Sequence, residues 1–435
     1  MGLKTGARGS ESRFAAYVEA ITSALGHADR FAPFQSYCAG LLLPGQRKSV
    51  EPMAARIHPA RVRAAHQSPH HFVAKADWSD EAVLAAVRTR VLPVIERRGP
   101  IRALIIDDTG FPKKGKHSVG VARQYCGQLG KQDNCQVAVS LSVANDHASL
   151  PIAWRLYLPR EWADDPARRA EAGVPGDVVF QTKTQIALDQ LRAARVARIE
   201  AEVALLDAGY GNDTDLRDGI TGIGLPYVVG IQSTTSLWPP GVEPLPPKPW
   251  SGRGRRPSAI RRGAEHQPVS AKQLALSLPK KAWRRVTWRE GTNTRLASRF
   301  AAVRVRPAHR DYQRVAPRPE EWCLIEWPAD EAEPTKYWLS TLPPSISRRA
   351  LVNTAKLRWR IERDYQDLKQ ELGLGHYEGR GWRGFHHHAT LCIAAYGFLV
   401  SEREAIPPSG RHCPPFSEEP PVPDGYRPRG SPDPA

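Results

Sequence analysis

Apolar residues recur every three to four positions in the first part of the chain, a spacing typical of amphipathic helices. Stretches with this spacing lie at 12–26, 31–43, 47–67 and 79–95. Ser79 precedes the last stretch and is suited to cap its first turn, which also carries acidic residues. The pattern predicts a helical N-terminal domain over 1–97. This domain is the plausible place for sequence-specific DNA binding, although it contains no clear helix-turn-helix signature.

From residue 100 the pattern changes to short apolar runs, which are typical of buried strands. The predicted strands are 101–107, 136–145, 151–159, 202–207 and 225–231, with one helix at 182–197. The first strand ends at Asp107, with Asp108 beside it, and the fourth ends at Asp207. The order of elements predicts a mixed α/β fold, with acids at the carboxyl ends of strands.

A Pro-rich basic segment interrupts this α/β pattern. Residues 238–263 contain seven prolines and six Lys or Arg residues, which predicts a loop. Strands follow at 283–290, 298–307, 321–327 and 336–343, so 232–345 is predicted to be a β-rich insertion. The α/β domain then comprises 98–231 and 346–404. The latter contains a long helix over 348–375 and an apolar helix over 385–404, while the Pro-rich tail 405–435 is predicted to be disordered.

The net charge of the chain indicates which kind of molecule it binds. The net charge is +17, which favours a polyanion, and we expect double-stranded DNA rather than an anionic membrane. No apolar run is long enough to span a bilayer, and no secretory signal is recognisable. The six cysteines are scattered without a CxxC pair, which favours reduced thiols in a cytoplasmic protein.

Acidic residues supply the candidate chemistry. Asp107, Asp207 and Glu362 come from different predicted elements, with Asp108 as a further ligand candidate. Mg²⁺ prefers hard oxygen ligands and retains waters, so a few such carboxylates can hold it, and Mn²⁺ can substitute. Two such ions can drive phosphodiester cleavage. The alternative is that the aspartates are turn formers or helix caps and Glu362 makes a solvated salt bridge.

The long predicted helix places three charged residues on one face. Successive helical residues rotate by about 100°, so Arg358, Glu362 and Lys369 lie beside the apolar stripe that contains Tyr365. A carboxylate between two cations stays ionised more easily at a partly buried site. The two cations could also bind phosphates.

The blocks around these acids resemble the DDE transposases of bacterial insertion sequences. Asp107-Asp108-Thr109 resembles the family's Asp-x-Ser/Thr motif, with Asp107 as the ligand. One branch, which carries a β-rich insertion, has a Tyr-x2-Arg-x3-Glu-x6-Lys signature. Arg358, Glu362 and Lys369 match its last three members, but Ala355 replaces the tyrosine.

The resemblance implies an RNase H-like mixed sheet with flanking helices, in which Asp107, Asp207 and Glu362 are catalytic metal ligands. It also implies cut-and-paste transposition, in which the enzyme cleaves the terminal inverted repeats of an element and joins them to target DNA. A dimer would hold the two ends, at the nucleoid of a bacterial cytoplasm. In this branch a tryptophan stacks on a flipped base, for which Trp338 is the candidate; a buried strand position is its alternative.

Other candidate DNA contacts are basic. Lys113 and Lys114 follow the first acid, and Arg255 and Arg256 lie in the basic loop. Consecutive histidines at 386–388 cannot chelate one ion from a helix and are predicted to lie at the surface. Two other functional classes remain open: a non-catalytic DNA-binding regulator derived from a transposase, and an RNase H-like nuclease acting on a Holliday junction or an RNA–DNA hybrid.

Overall fold

The first described part of the protein is helical. The computed structural model describes residues 9–57, 62–290 and 295–406, so most of the predicted disordered tail lies outside it. The N-terminal helices are α1 (Ser10–Thr22), α2 (Phe31–Leu42), α3 (Val50–Ile57), α4 (Val62–Ala74) and α5 (Asp80–Glu96). As predicted, the Ser79 hydroxyl caps α5, accepting a 3.2 Å hydrogen bond from the Ala82 amide. None of the described helices is long and apolar enough to cross a membrane.

A mixed sheet forms the centre of the molecule. Its first strands are β1 (Ala103–Pro112), β2 (Ala122–Cys126), β3 (Lys131–Ala144), β4 (Ser149–Leu156), β5 (Val203–Leu206) and β6 (Tyr227–Ile231). The flanking helices are α6 (Arg160–Ala163), α7 (Pro166–Glu171), α8 (Lys183–Val196), α9 (Ala208–Gly211) and α10 (Thr214–Gly222). Strands β1, β5 and β6 run parallel, and β3 pairs antiparallel with β1. The predicted α/β class with a mixed sheet and flanking helices is confirmed.

The insertion continues the same sheet. Its elements are β7 (Ser236–Trp238), β8 (Val269–Ser270), α11 (Ala271–Ser277), β9 (Arg284–Glu290), β10 (Arg295–Pro307), β11 (Glu321–Trp327) and β12 (Lys336–Ser340). Strand β12 pairs antiparallel with β6, and the order β12-β11-β10 extends outward from there. The insertion therefore shares backbone hydrogen bonds with the α/β part. The boundaries drawn from the sequence stay a prediction.

Strand β1 is longer than predicted. It does not end at Asp107 but continues to Pro112, because β3 pairs with it along its whole length. The pairing of β1 with its parallel neighbour β5 ends earlier, at Ile105 and Leu205. Asp107 and Asp108 thus lie within a strand, just beyond the point where one of its two neighbours ends.

The predicted helix over 348–375 is interrupted. It divides into α12 (Arg348–Lys356), α13 (Trp359–Gln366) and a π-helical turn (Asp367–Glu371). At the break, backbone hydrogen bonds tighten to a three-residue spacing, as in the 3.2 Å bond from the Arg360 amide to the Leu357 carbonyl. The regular α-helix is therefore interrupted at Leu357 and Arg358.

The last helix, α14 (Trp382–Ala405), is buried on nearly all sides. The prediction that histidines 386–388 lie at the surface is wrong, since their exposures are 7%, 1% and 2%. Helices α2, α4 and α5 and strand β4 surround α14, and sequence spacing along one helix could not indicate this cover.

The hydrogen bonds of these histidines show different proton positions. His386 Nδ1 lies 2.9 Å from the Trp382 carbonyl, to which it donates, and its Nε2 accepts from the Leu156 amide at 3.2 Å. His388 is the reverse: Nε2 donates to the Gly373 carbonyl at 3.0 Å, and Nδ1 accepts from the Tyr37 hydroxyl at 2.8 Å. Both sets of partners suit a neutral ring. Burial lowers the pKa of both histidines from 6.5 to about 4.

These buried histidines predict a loss of stability in acid. Between pH 6.5 and 4 the histidines are protonated in the unfolded chain but remain neutral in the folded protein. The free energy of unfolding therefore falls by about 1.4 kcal/mol for each ring and each unit by which the pH is lowered. We expect His386→Gln to show a shallower fall than the wild type in urea denaturation between pH 7 and 5. His117→Gln, at an exposed position, should keep the wild-type slope. Equal slopes in all three proteins would contradict the neutral, buried state.

Candidate active site

Asp107 and Asp207 lie just beyond the point where the pairing of the parallel strands β1 and β5 ends. Asp207 follows β5 directly and caps α9, with its Oδ1 accepting a 3.2 Å hydrogen bond from the Tyr210 amide. Glycines allow the close packing that fixes this turn, because a Cβ on Gly211 would lie 2.0 Å from the Gly230 carbonyl oxygen. Asp207 is thus a helix cap, and its charge also raises the pKa of Asp107. Its role as a metal ligand stays a prediction.

The Asp107 carboxylate is electrostatically strained. Its pKa is raised to about 7: burial is the largest cause, Arg358 opposes it, and the neighbouring charges of Asp207 and Asp108 add to the rise. The Arg358 Nη1 lies 2.8 Å from Asp107 Oδ2 and supplies the nearest positive charge. A site with this imbalance attracts cations.

Asp108 has its own partners. Lys183 Nζ lies 2.6 Å from its Oδ2, and the Tyr210 hydroxyl donates to the same oxygen at 3.1 Å. Lys183 is the first residue of α8, and the Thr182 capping box at that end orients the helix. The structure therefore uses Asp108 to hold Lys183 and Tyr210 beside the acids, and this competes with the predicted role as a metal ligand.

The predicted charged face of α13 lies along β1. Arg358 Nη2 lies 3.0 Å from Glu362 Oε1, so one guanidinium joins Glu362 to Asp107. Further on, Lys369 Nζ donates to the Gly110 carbonyl at 2.9 Å and to Gln128 Oε1 at 3.1 Å. Burial lowers the pKa of Lys369 to about 8. The Glu362 side chain is 63% exposed and so remains accessible.

Buried hydrogen bonds hold α13 against the sheet. The Tyr365 hydroxyl lies 2.8 Å from Ser140 Oγ, and Ser140 is the residue opposite Asp107 in the β1–β3 register. On the preceding residue of α13, Asp364 Oδ1 accepts hydrogen bonds from Ser149 Oγ at 2.6 Å and from the Tyr396 hydroxyl at 2.9 Å. Sequence reasoning missed these partners because they lie far along the chain, in no recognisable spacing.

Lys356 links the insertion to this helix. Its Nζ lies 2.6 Å from Glu326 Oε2 on β11, and both side chains are largely buried. The same ammonium lies 4.4 Å from the ring centroid of Trp288, 5.4 Å from that of Trp338 and 5.5 Å from that of Phe300. Lys356 is the last residue of α12, two positions before Arg358. The contact thus anchors the start of the charged face.

The sequence candidate Trp338 lies in this packed region. It is 9% exposed on β12, between β6 and β11, and belongs to the hydrophobic core. This position favours the alternative of a buried strand tryptophan, and the assignment as a DNA-stacking residue stays a prediction. Alternation along the strand could not separate the two, because both faces of the sheet are covered here.

The remaining basic candidates lie apart from the acids. Lys114, Arg255 and Arg256 are exposed, the last two in the loop of the insertion. Lys113 is half-buried, and its Nζ donates to the Tyr377 carbonyl at 2.9 Å.

The oxygen donors fit a divalent cation in type but are not assembled around one point. Among the described residues, no three His, Cys, Asp or Glu side chains are grouped closely enough to hold a metal ion. Arg358 lies between Asp107 and Glu362 and provides the positive charge there. Asp107 and Asp207 are the carboxylate pair best placed to bind a cation, since Asp207 is close enough to raise the pKa of Asp107.

Comparison with known proteins is consistent with this site. A family model described as DDE superfamily endonuclease matches residues 21–295, more than half of the chain. The matched range includes both aspartates and ends before Glu362. A probable transposase for insertion sequence element IS701, from Microchaete diplosiphon, is 32% identical over 168 residues. That match covers 38% of this chain and 41% of the relative. Endonucleases of the matched family generally use divalent metal ions.

Neutralising Asp107 should stabilise the metal-free protein. Because the folded pKa lies above the unfolded value, ionisation of Asp107 disfavours the folded state increasingly as the pH rises from 3.8 to about 7. We expect Asp107→Asn to raise the free energy of unfolding at pH 8 by about 4 kcal/mol, because the folded and unfolded pKa values differ by about three units. The measurement is urea denaturation in EDTA, with the exposed Asp330→Asn as the control. A destabilised Asp107→Asn protein would show that the pairing with Arg358 outweighs burial.

Removing Lys356 should destabilise the fold by leaving Glu326 buried and unpaired. We expect Lys356→Met to lower the free energy of unfolding by about 3 kcal/mol, and the added change Glu326→Gln to restore much of the loss. Urea denaturation of the two single variants and the double variant gives the coupling energy. Strictly additive losses would mean that the contact does not act as a pair.

Proposed function

Because the chain belongs to the DDE superfamily endonucleases, we propose that it is the DNA transposase of an insertion sequence. It cleaves the terminal inverted repeats of the element and joins the freed ends to target DNA, in a cut-and-paste reaction. The observation that supports this proposal is the proximity of Asp107 and Asp207 where the parallel pairing of β1 and β5 ends, with Arg358 joining Asp107 to Glu362.

Asp107, Asp207 and Glu362 would hold Mg²⁺, or Mn²⁺ in its place, as a pair of ions. When bound, divalent cations polarise the phosphodiester and favour ionisation of the attacking water or 3′-hydroxyl. The two aspartates already approach one another, and Glu362 is exposed and tied to Asp107 through Arg358 alone. Cation binding would therefore require Arg358 to release at least one carboxylate.

Once released from a carboxylate, Arg358 could bind the phosphate of the DNA. Its guanidinium presents several donors in a fixed plane, which suits two oxygens of a phosphate. Lys183, 40% exposed at the start of α8, provides another cation beside Asp108. These side chains would orient the scissile phosphate while Lys369 holds the end of the helix against β1.

DNA is the partner that the charge of the protein favours. The net charge of +17 attracts a polyanion, and the basic residues Lys113, Lys114, Arg255 and Arg256 are candidates for phosphate contacts outside the acid cluster. Because both element ends must be cut and joined together, we propose a dimer in the DNA complex. The reaction would take place at the nucleoid in the cytoplasm.

The acids can be tested with a supercoiled plasmid that carries the element's own ends. We expect the wild type to cut at these ends in Mg²⁺, and Asp107→Asn, Asp207→Asn and Glu362→Gln each to lose at least about a hundredfold in cleavage rate, or about 2.7 kcal/mol. All three should still bind the ends in a mobility-shift assay. Glu371→Gln, which alters an exposed carboxylate further along the same helical segment, is the matched control.

Two results would contradict the proposal. Binding of the ends without cleavage in Mg²⁺ or Mn²⁺ would favour a non-catalytic regulator. Cleavage that ignores the element ends and prefers a four-way junction or an RNA–DNA hybrid would favour a nuclease with another substrate.

A further inference from the structure

Arg358 binds two of the three candidate metal ligands at once. Its Nη1 lies 2.8 Å from Asp107 Oδ2, and its Nη2 lies 3.0 Å from Glu362 Oε1. The other oxygen of Asp107, Oδ1, accepts a 2.9 Å hydrogen bond from the Asp108 amide. Both oxygens of Asp107 therefore have donors, and one of these donors belongs to a side chain with a full positive charge.

The third candidate ligand also acts on Arg358. Burial lowers the pKa of the guanidinium, but the charges of Asp107, Asp207 and Glu362 outweigh burial and raise it. All three carboxylates are thus close enough to stabilise the same side chain. A divalent cation would need the same oxygens and would be repelled by a guanidinium held among them. Arg358 and a divalent cation therefore compete for one set of carboxylates.

The neighbouring lysine does not share this contact. Lys183 pairs with Asp108 at 2.6 Å. Within the described part of the chain, no Lys or Arg other than Arg358 forms an ion pair with Asp107 or Glu362. Competition with a cation at these two acids is therefore a property of Arg358.

The helix that carries Arg358 has other attachments. Lys356, two residues earlier, pairs with Glu326 at 2.6 Å, and the Tyr365 hydroxyl lies 2.8 Å from Ser140 Oγ. Arg358 itself lies at the interruption between α12 and α13. Its side chain can therefore leave the carboxylates by rotation about its own bonds, because buried contacts on both sides keep the backbone in place.

A phosphate is the group best suited to draw Arg358 away from the acids. The guanidinium can donate two parallel hydrogen bonds to a phosphate, as it can to a carboxylate. The Arg358 side chain is 22% exposed and that of its partner Glu362 is 63% exposed, so a DNA backbone can reach this pair from the solvent.

We propose that Arg358 blocks cation binding at Asp107 and Glu362 until a DNA phosphate binds its guanidinium, so that DNA and the divalent cation bind cooperatively. The inference rests on the proposed function and adds a regulatory contact to it. Because coupling between two ligands is reciprocal, the duplex should raise the affinity for the cation by the same factor as the cation raises the affinity for the duplex.

The test is Mn²⁺ binding, measured from the electron paramagnetic resonance signal of the free ion, with Asp107→Asn as the background. Without DNA, we expect Arg358→Gln to bind Mn²⁺ at least about tenfold more tightly than the wild type. Arg358→Lys keeps the charge, but an ammonium lacks the planar fork that binds two carboxylates. It should therefore also bind Mn²⁺ more tightly than the wild type, by a smaller factor.

The matched control removes another arginine of the same helix. Arg363 pairs with Asp367 at 3.0 Å, four residues further on, and Asp367 keeps a second partner in Arg403. Arg363→Gln should bind Mn²⁺ as the wild type does.

A second arm adds a duplex that stops at the terminal nucleotide of the element, so that no bond remains to be cut. We expect the duplex to raise the Mn²⁺ affinity of the wild type by about tenfold over the background of the Asp107→Asn complex, and that of Arg358→Gln by less. An unchanged affinity of the wild type would overturn the inference, and this arm needs no variant.

The other outcomes separate the inference from the proposed function. If both Arg358 variants bind Mn²⁺ no more tightly than the wild type without DNA, or if Arg363→Gln gains as much as they do, the competition is overturned. Cleavage of the element ends by the wild type would then leave the proposed function standing. A wild type that neither binds Mn²⁺ above background with the duplex nor cuts the ends would overturn both.

Discussion

The ion pair between Arg358 and Asp107 is the interaction on which the site depends. A carboxylate buried beside two others is costly to ionise, and Arg358 is the cation that offsets this cost. The same guanidinium binds Glu362, so it joins the start of α13 to β1. Arg358 thus both offsets the negative charge of the acids and keeps the helix in place.

Two further sets of contacts fix the helix that carries Arg358. From the core, Ser140 and Ser149 bind the side chains of Tyr365 and Asp364. From the insertion, Glu326 binds Lys356 immediately before the break in the helix. The insertion also extends the central sheet through β12, so it contacts the α/β part both by strand pairing and through Lys356.

Positive charge is not confined to the acids. Arg358 and Lys183 lie beside the aspartates, and Lys113 follows the end of β1. Such an arrangement suits a polyanion that extends beyond the point where it is cut, since the cations at the acids would act on the reacting phosphate and the others would contact neighbouring phosphates.

The sequence by itself determined the α/β class, the strands that lead to Asp107 and Asp207, and the common face of Arg358, Glu362 and Lys369. These features follow from local periodicity, in which strand and helix geometry act over a few residues. Tertiary structure decided the surroundings of each side chain. It paired Asp108 with Lys183 and Lys356 with Glu326, and it buried Trp338 and the histidines at 386–388 in the core. It also extended β1 beyond Asp107 and broke the long helix before Arg358. Partners 30 to 102 residues apart, as for Lys356 and Asp108, leave no local pattern, because burial and pairing arise only when the layers pack.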